Sequence, residues 1–473
     1  MRQPIVVREF ATLTTADVAN SLDHASVSAS AFDWLCAESA RLRASGAELI
    51  QLIDRRSLRL DNYVGVIQTP CGTTIEVLPK HIDGSEAAPA ARRVLRRMLI
   101  EALDLSSRQT AEAGIDAFEA PITEWIIEKF LGALDRLVKR GIRFDYRRVE
   151  DEQRFLRGRL EVGRQLRQPP GRQHLFQIQH DVFEPDRPEN RLIRAALDKV
   201  RAAARLPANW RLAHELASFL APIPVSRNVS SDFALWRADR LTAHYREIKP
   251  WCSLILNEQL PLSFAGAWRG PSLLFPMERL FERYVTTCLR RALAPGAVLT
   301  AQASSEHLCT HRQAQWFQLQ PDILIHQGQA RWVLDAKWKR LNAANTQEKY
   351  KLRQEDLYQM FAYGHKYLGG TGEMYLIYPR TGDLDRVLDP FHFSETLSLR
   401  VLAFDLDRGE VVGDLAGLPL HRKEAEDAGR PRSTCGWVEA GGVRSELRTC
   451  VLSIEQEELA SATGAGCQPK RLG

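Results

Sequence analysis

The chain has 473 residues, of which 44% are hydrophobic and 26% charged, and its formal net charge is +5. This composition is typical of a soluble globular protein with roughly two to four domains, and it does not by itself indicate a nucleic-acid binder. No apolar run approaches the ~20 residues of a membrane helix, the first ten residues lack a signal-peptide core, and the eight cysteines include no CxxC pair. We therefore expect a cytoplasmic protein with no membrane contact and no structural zinc.

The first 85 residues are predicted to form a β-rich domain. Residues 58–80 alternate apolar and polar side chains around Thr-Pro-Cys-Gly-Thr, a turn signal that predicts a hairpin. Residues 30–44 have the pattern of a helix that precedes this hairpin.

The next region, residues 86–265, is predicted to be mostly helical. Apolar side chains recur at spacings of three and four over residues 88–103 and 122–141, and Pro188 suits the first turn of a further helix over 188–206. A hairpin-like stretch at 153–182 interrupts these helices.

A compact α/β pattern is predicted for residues 266–410, after a boundary rich in glycine and proline at 263–276. The predicted order is one helix, three strands, a second helix and a fourth strand, over residues 277–293, 297–302, 314–326, 330–339, 353–368 and 373–379. This order predicts a small mixed sheet flanked by helices, in which the second and third strands are antiparallel. Residues 411–473 are predicted to be a polar, mostly disordered tail, so the whole chain is an α+β multidomain protein.

Three charged residues occupy the otherwise apolar segment 320–340. Asp322 follows a proline, and Asp335 and Lys337 lie two residues apart on the next predicted strand, where they share a face. Two converging carboxylates form a hard oxygen site that suits Mg²⁺, and a neighbouring lysine can orient water or balance a phosphate's charge. The set predicts phosphodiester hydrolysis; the alternative is an exposed Asp–Lys pair on a strand surface.

This segment, PD…DAK, resembles the PD-(D/E)xK nuclease superfamily, whose core has the same order of elements. Five further motifs occur in one order along the chain: NYVGVIQTPCGTTIEVLPK, FLRGRL, PENRLIRAAL, FPMERLFERYV and DLYQMFAYGHKY. Together they resemble the McrC family, the nuclease subunit of McrBC-type modified-cytosine restriction systems. The resemblance covers about residues 50 to 405 and implies a PD-(D/E)xK restriction-endonuclease-like core.

The resemblance also implies the roles of individual residues. Asp322 and Asp335 would hold Mg²⁺, and Lys337 would be the catalytic lysine. Glu282 in the first helix would supply a third carboxylate, although Glu278 lies one turn earlier on the same face. A surface ion pair is the other interpretation of Glu282.

Two residues of the second helix match the Q-xxx-Y pattern of related nucleases. Gln359 and Tyr363 are four residues apart and would contact the nucleophilic water or the DNA backbone. Polar packing at the sheet edge is the alternative interpretation, and Asp356 shares their face with a weaker signal.

Two other sets of residues have more than one interpretation. The first set, at every second position on one strand face, is His307, Cys309 and His311. These residues lie too close together to complete a tetrahedral zinc site without a distant fourth ligand. The second consists of aromatics that either pack in the core or stack on DNA bases: Trp316, Trp332 and Trp338.

No GxxxxGK(S/T) motif is present, so the sequence predicts a nuclease without a motor of its own. The resemblance implies a hexameric AAA+ GTPase partner that selects modified DNA, with the N-terminal region docking on it near Arg59, Tyr63 and Lys80. A stand-alone RecB-like exonuclease and a non-catalytic adaptor of an NTPase are the alternatives. The intact Asp322, Asp335 and Lys337 argue against the adaptor.

Overall fold

A computed structural model describes residues 4–44, 49–81, 87–103, 105, 121–237, 239–240, 242–256, 273–384, 387–413 and 417–421. Most of the predicted tail at 411–473 lies outside these residues, as does most of the predicted boundary at 263–276. The predicted mixed α+β class is confirmed by the helices and sheets that follow. Among the described residues, no helix has both the length and the apolar character that a membrane crossing needs.

The strands of the described residues are β1 (Ile5–Arg8), β2 (Thr12–Thr14), β3 (His24–Ser26), β4 (Ile50–Leu52), β5 (Ser57–Leu60), β6 (Tyr63–Gln68), β7 (Thr74–Leu78), β8 (Asp145–Gln153), β9 (Arg159–Leu160), β10 (Phe176–Glu184), β11 (Leu273–Pro276), β12 (Val298–Ala301), β13 (Glu306–His311), β14 (Ala314–Leu319), β15 (Ile323–Gln327), β16 (Ala330–Ala336), β17 (Gly372–Pro379), β18 (Phe391–His392), β19 (Leu397–Asp405) and β20 (Glu410–Val412). The α-helices are α1 (Ala29–Ala44), α2 (Ala87–Ala102), α3 (Ile122–Arg140), α4 (Val162–Gln165), α5 (Pro188–Ala203), α6 (Pro207–Phe219), α7 (Val229–Leu235), α8 (Lys249–Leu256), α9 (Met277–Ala292) and α10 (Gln354–Tyr367).

The N-terminal region contains two small sheets, with strand orders β1-β7-β6-β11 and β3-β2-β5-β4. The predicted hairpin is confirmed for β6 and β7, but β5, at the start of the predicted range, pairs with β2 and β4 in the other sheet. Strand β11 comes from far along the chain and pairs with β6. Gly65 permits this close approach, because a Cβ at that position would lie 2.0 Å from the carbonyl oxygen of Leu273.

The middle region is mostly helical in the structure as well, and its helices share one apolar core with α9 and the central sheet. The hairpin predicted at 153–182 is instead a three-stranded sheet, in which β8 pairs with β10 and β10 also pairs with the short β9. The division of the chain into four domains stays a prediction. The pairing of β11 with β6 shows that the first and third predicted domains share a sheet.

A mixed sheet with the order β12-β15-β16-β17-β19-β18, and with β20 beside β19, forms the centre of the C-terminal region. Strand β15 is antiparallel to β12 and β16, whereas β16, β17 and β19 are parallel. The single strand predicted at 314–326 is wrong. It is two strands, since Pro321 has no N–H to donate to a ladder, and β14 pairs only with β13 in a separate hairpin.

The sheet is flanked by helices, as predicted, and α9 and α10 cover opposite faces of it. Along β16, Leu334 and Ala336 belong to the core that includes α9, whereas Val333 belongs to the core that includes α10. The strand is therefore buried on both faces, and Asp335, which points to the α10 side with Val333, is only 1% exposed.

Candidate active site

Asp322 and Asp335 lie opposite each other on neighbouring antiparallel strands. Because Ile323 pairs with Leu334, the next pair outward in the same register is Asp322 with Asp335. A carboxylate oxygen of Asp322, Oδ2, accepts a hydrogen bond of 2.9 Å from the backbone N–H of Ala336. Both carboxylates therefore lie on the same face of the sheet, as the sequence pattern predicted.

Lys337 extends this pair towards helix α10. Its Nζ lies 2.6 Å from Oδ2 of Asp335 and donates to Oε1 of Gln359 at 3.0 Å. The amide of Gln359 in turn donates to the hydroxyl of Tyr363 at 2.8 Å, and this hydroxyl donates to the carbonyl oxygen of Gln320 at 3.0 Å. One continuous set of contacts thus joins the lysine and the helix residues that the sequence singled out.

Gln302 connects the third predicted carboxylate to the site. Its Nε2 donates to Glu282 of α9 and, at 3.1 Å, to Oδ1 of Asp322. Glu278, the alternative, is exposed and lies in the field of Lys80. Of the two helix carboxylates, Glu282 is therefore the one beside the aspartates. Sequence reasoning missed Gln302, whose only signal was its position at the end of a predicted strand.

Burial and the closeness of the other carboxylates disfavour the charged forms of the acids in this cluster. Burial, with the negative charges of Asp335 and Glu282, raises the pKa of Asp322 to about 8. Burial also raises the pKa of Asp335 and of Glu282. Burial opposes the charge of Lys337, but its ion pair with Asp335 raises the pKa of the lysine above the usual value. One lysine does not offset three crowded carboxylates, so a bound cation would relieve the repulsion.

The chemistry of these donors fits Mg²⁺, which prefers hard oxygen ligands. Within the described parts of the chain, no three side chains of His, Cys, Asp or Glu converge as a ligand set. Mg²⁺ is usually held by one or two carboxylates together with water and substrate phosphates, and the pair Asp322 and Asp335 is compatible with such a site. Glu282 is connected to Asp322 through Gln302, and its assignment as a third metal ligand stays a prediction.

We expect Asp322→Asn to stabilise the metal-free protein, increasingly so at high pH. Between the unfolded pKa near 3.8 and the folded pKa of about 8, the folded state retains a proton that the unfolded chain has released. Stability of the parent therefore falls as the pH rises through this window, and asparagine removes that loss. The melting temperatures of variant and parent are measured in EDTA at both pH 5 and pH 8.5. The variant's gain over the parent should be at least ~2 °C larger at pH 8.5 than at pH 5. A gain in melting temperature that does not depend on pH would contradict charge repulsion at Asp322.

Other residues from the sequence patterns lie outside this network. Asp356 pairs with Lys339 at 2.8 Å. Trp338 is buried, and its indole N–H donates at 2.7 Å to Oε1 of Glu9, a buried carboxylate at the end of β1. Trp332 packs against the core, so only Trp316 of the three tryptophans is exposed.

The residues predicted to dock on a partner and the residues considered as zinc ligands lie on different elements of the structure. Lys80 and Arg59 both lie over the ring of Phe10, 4.2 and 5.6 Å from its centroid. His307, Cys309 and His311 lie on β13, and within the described residues they do not form a group of three or more His, Cys, Asp or Glu side chains that could hold a metal ion.

The fold and the site together define an α+β protein with a buried acid–lysine cluster on a central mixed sheet. Residues 58–379 match the family model described as McrBC 5-methylcytosine restriction system component. The chain belongs to this family, which confirms the resemblance seen in the sequence motifs.

A solved structure has the same fold as this chain. One similar chain belongs to the refined half-complex from a tetradecameric assembly of Thermococcus gammatolerans McrB AAA+ hexamers with bound McrC, at 19% identity and a TM-score of 0.64, over 87% of this chain and 97% of that one. Another similar chain belongs to the cryo-EM structure of the Thermococcus gammatolerans McrBC complex, at 20% identity and a TM-score of 0.47, over 61% of this chain and 88% of that one. Comparison with curated proteins gives no match.

Proposed function

We propose that this chain is the Mg²⁺-dependent DNA endonuclease subunit of a modification-dependent restriction system that defends the cell against phage. The observation that carries the proposal is the network of Asp322, Asp335, Lys337, Gln359 and Tyr363. These residues match the PD-(D/E)xK pattern with its Q-xxx-Y helix. A cytoplasmic location, where such DNA is met, is part of the proposal.

Each residue of the network has a role in this reaction. Asp322 and Asp335 would hold Mg²⁺, which supplies charge stabilisation and a more acidic water at the scissile phosphate. Lys337, which Asp335 keeps protonated, places a positive group beside that phosphate. Gln359 holds the lysine in position from α10, and Tyr363 holds Gln359.

An AAA+ GTPase ring is the proposed partner, and the chain would stimulate its hydrolysis. Family membership supports this partner, and the similar Thermococcus chain comes from an assembly of McrB AAA+ hexamers with bound McrC. The N-terminal region near Arg59, Tyr63 and Lys80 is the proposed docking element. The ring would select 5-methylcytosine-type DNA and deliver it to the nuclease.

We expect the purified chain alone to show little cleavage, because it is proposed to depend on the ring for target selection. Adding an McrB-like ring, nucleotide and Mg²⁺ should restore cutting of a 5-methylcytosine-containing duplex, measured on a gel. An unmodified duplex of the same sequence is the control. Degradation of unmodified DNA ends by the chain alone would favour the stand-alone exonuclease. Stimulated nucleotide hydrolysis without any cleavage would favour the adaptor.

A further inference from the structure

The hairpin of β13 and β14 projects from the C-terminal region, and residues 308–318 are all exposed. Its turn residues, Arg312 and Gln313, both have positive φ, as a tight two-residue turn requires. Leu308, Trp316 and Phe317 are 46%, 47% and 67% exposed. Because these apolar side chains are not buried, folding alone does not explain the residues that the hairpin carries.

Aromatic rings cluster on the hairpin. Trp316 lies edge-on to His311, with ring centroids 5.5 Å apart, and 6.1 Å from the ring of Phe317. Phe317 has a φ of 58°, a left-handed conformation that is costly for a bulky side chain. Strain of this kind is concentrated at functional positions, and here it coincides with the most exposed large apolar side chain of the hairpin.

Both ends of the hairpin are fixed beside the proposed catalytic site. The hydroxyl of Tyr367 on α10 lies within hydrogen-bond distance of the carbonyl oxygens of Ala303 and Leu319, at 2.9 and 2.8 Å. Gln302 immediately precedes Ala303, and Asp322 follows Leu319 by three positions. DNA whose phosphate reaches the carboxylates therefore also lies next to the base of the hairpin.

We propose that this hairpin is a DNA-contacting arm, which sets Trp316 and Phe317 against the duplex beside the bond to be cut. The proposal rests on the proposed nuclease function. Trp316 is six residues from Asp322, so at ~3.3 Å per strand residue its reach is at most about 20 Å. At ~3.4 Å per base pair, the contact falls within about six base pairs of the cleaved phosphodiester.

The chemistry of the hairpin suits nucleic acid. Its one acid, Glu306, lies at the base, whereas Arg312 is at the exposed tip. Thr310, Gln313 and Gln315 offer hydroxyl and amide groups that bond to phosphates and base edges. Exposed aromatic rings stack on bases or insert between base steps without needing a particular sequence. Such an arm would hold the duplex in place while the ring selects the target.

Photocrosslinking identifies what the hairpin contacts. The assembly of the full chain, an McrB-like ring, nucleotide and a 5-methylcytosine-containing duplex would carry p-benzoylphenylalanine in place of Phe317. The control carries it in place of Phe219, which is 55% exposed on α6. We expect a DNA crosslink from position 317 and none from position 219. Crosslinks from 317 only to the ring or to a second copy of this chain, or no DNA crosslink at all, would overturn the proposal.

Cleavage rates provide the second readout. The double variant Trp316→Ala with Phe317→Ala should cut at least ten times more slowly and bind the duplex more weakly, while still stimulating nucleotide hydrolysis. Trp316→Phe with Phe317→Tyr should restore cutting, since the rings are kept. If the parent does not cut DNA, the nuclease function itself fails. If the parent cuts and the alanine pair cuts less than tenfold more slowly, only the hairpin proposal fails.

Discussion

Asp335→Asn is expected to lower DNA cleavage by at least ~10²-fold, the scale of a lost charge-stabilising group. Asparagine keeps the shape of the side chain but removes the negative charge opposite Asp322 on which the proposed Mg²⁺ site depends. Since Asp335 is buried among the strands of the central sheet, the change does not touch the N-terminal sheets. Stimulation of the ring's nucleotide hydrolysis should therefore remain at the level of the parent.

The measurement pairs phosphate release with DNA nicking on one preparation of each protein. Asp383→Asn is a suitable control, because Asp383 is an exposed aspartate that pairs with Arg340 at 3.4 Å. Parent-level cleavage by the Asp335 variant would remove Asp335 from the active site. Loss of both activities in a folded variant would show that the two activities are not separable at this residue.

Lys337→Met should also reduce cleavage by at least ~10²-fold, and the neighbouring Lys339→Met provides a matched comparison. Both lysines are about one-fifth exposed and pair with a buried aspartate, at 2.6 Å for Lys337 and 2.8 Å for Lys339. Only Lys337 also contacts Gln359 beside the two carboxylates. We therefore expect Lys339→Met to lower the melting temperature while most of the cleavage activity persists.

The two lysine variants should be assayed at a temperature well below both melting transitions, so that unfolding does not contribute to the rates. Metal titration adds a second test, because Lys337→Met leaves in place Asp322 and Asp335, the proposed ligands of Mg²⁺. Equal loss of cleavage in both variants would mean that the lysines serve the fold rather than the reaction.

The core of the site was predictable because it depends on local geometry. Strand periodicity sets Asp335 and Lys337 on one face, and a short hairpin brings Asp322 opposite. Helical periodicity does the same for Gln359 and Tyr363, which are four residues apart. These relations need no knowledge of how distant elements pack.

Other features depend on packing that no local pattern encodes. Glu278 and Glu282 share a helix face, so the sequence left the choice between them open; in the structure, Gln302 connects Glu282 to Asp322. Gln302 belongs to no motif. Pro321 in the sequence indicated a possible end of the strand, but a continuous strand over 314–326 also fitted the apolar pattern. Glu9 and Trp338 are 329 positions apart, and nothing in either segment indicates their hydrogen bond.

The bond between Glu9 and Trp338 bears on how this protein can be dissected. Removing residues 1–85 would take away the strand that pairs with β11, which leads directly into the helix of Glu282. It would also leave a buried indole N–H without its acceptor one residue from Lys337. A truncated chain that fails to cut DNA would therefore be uninformative about docking. Hybrids between relatives should exchange residues 5–80 and 273–340 as one block.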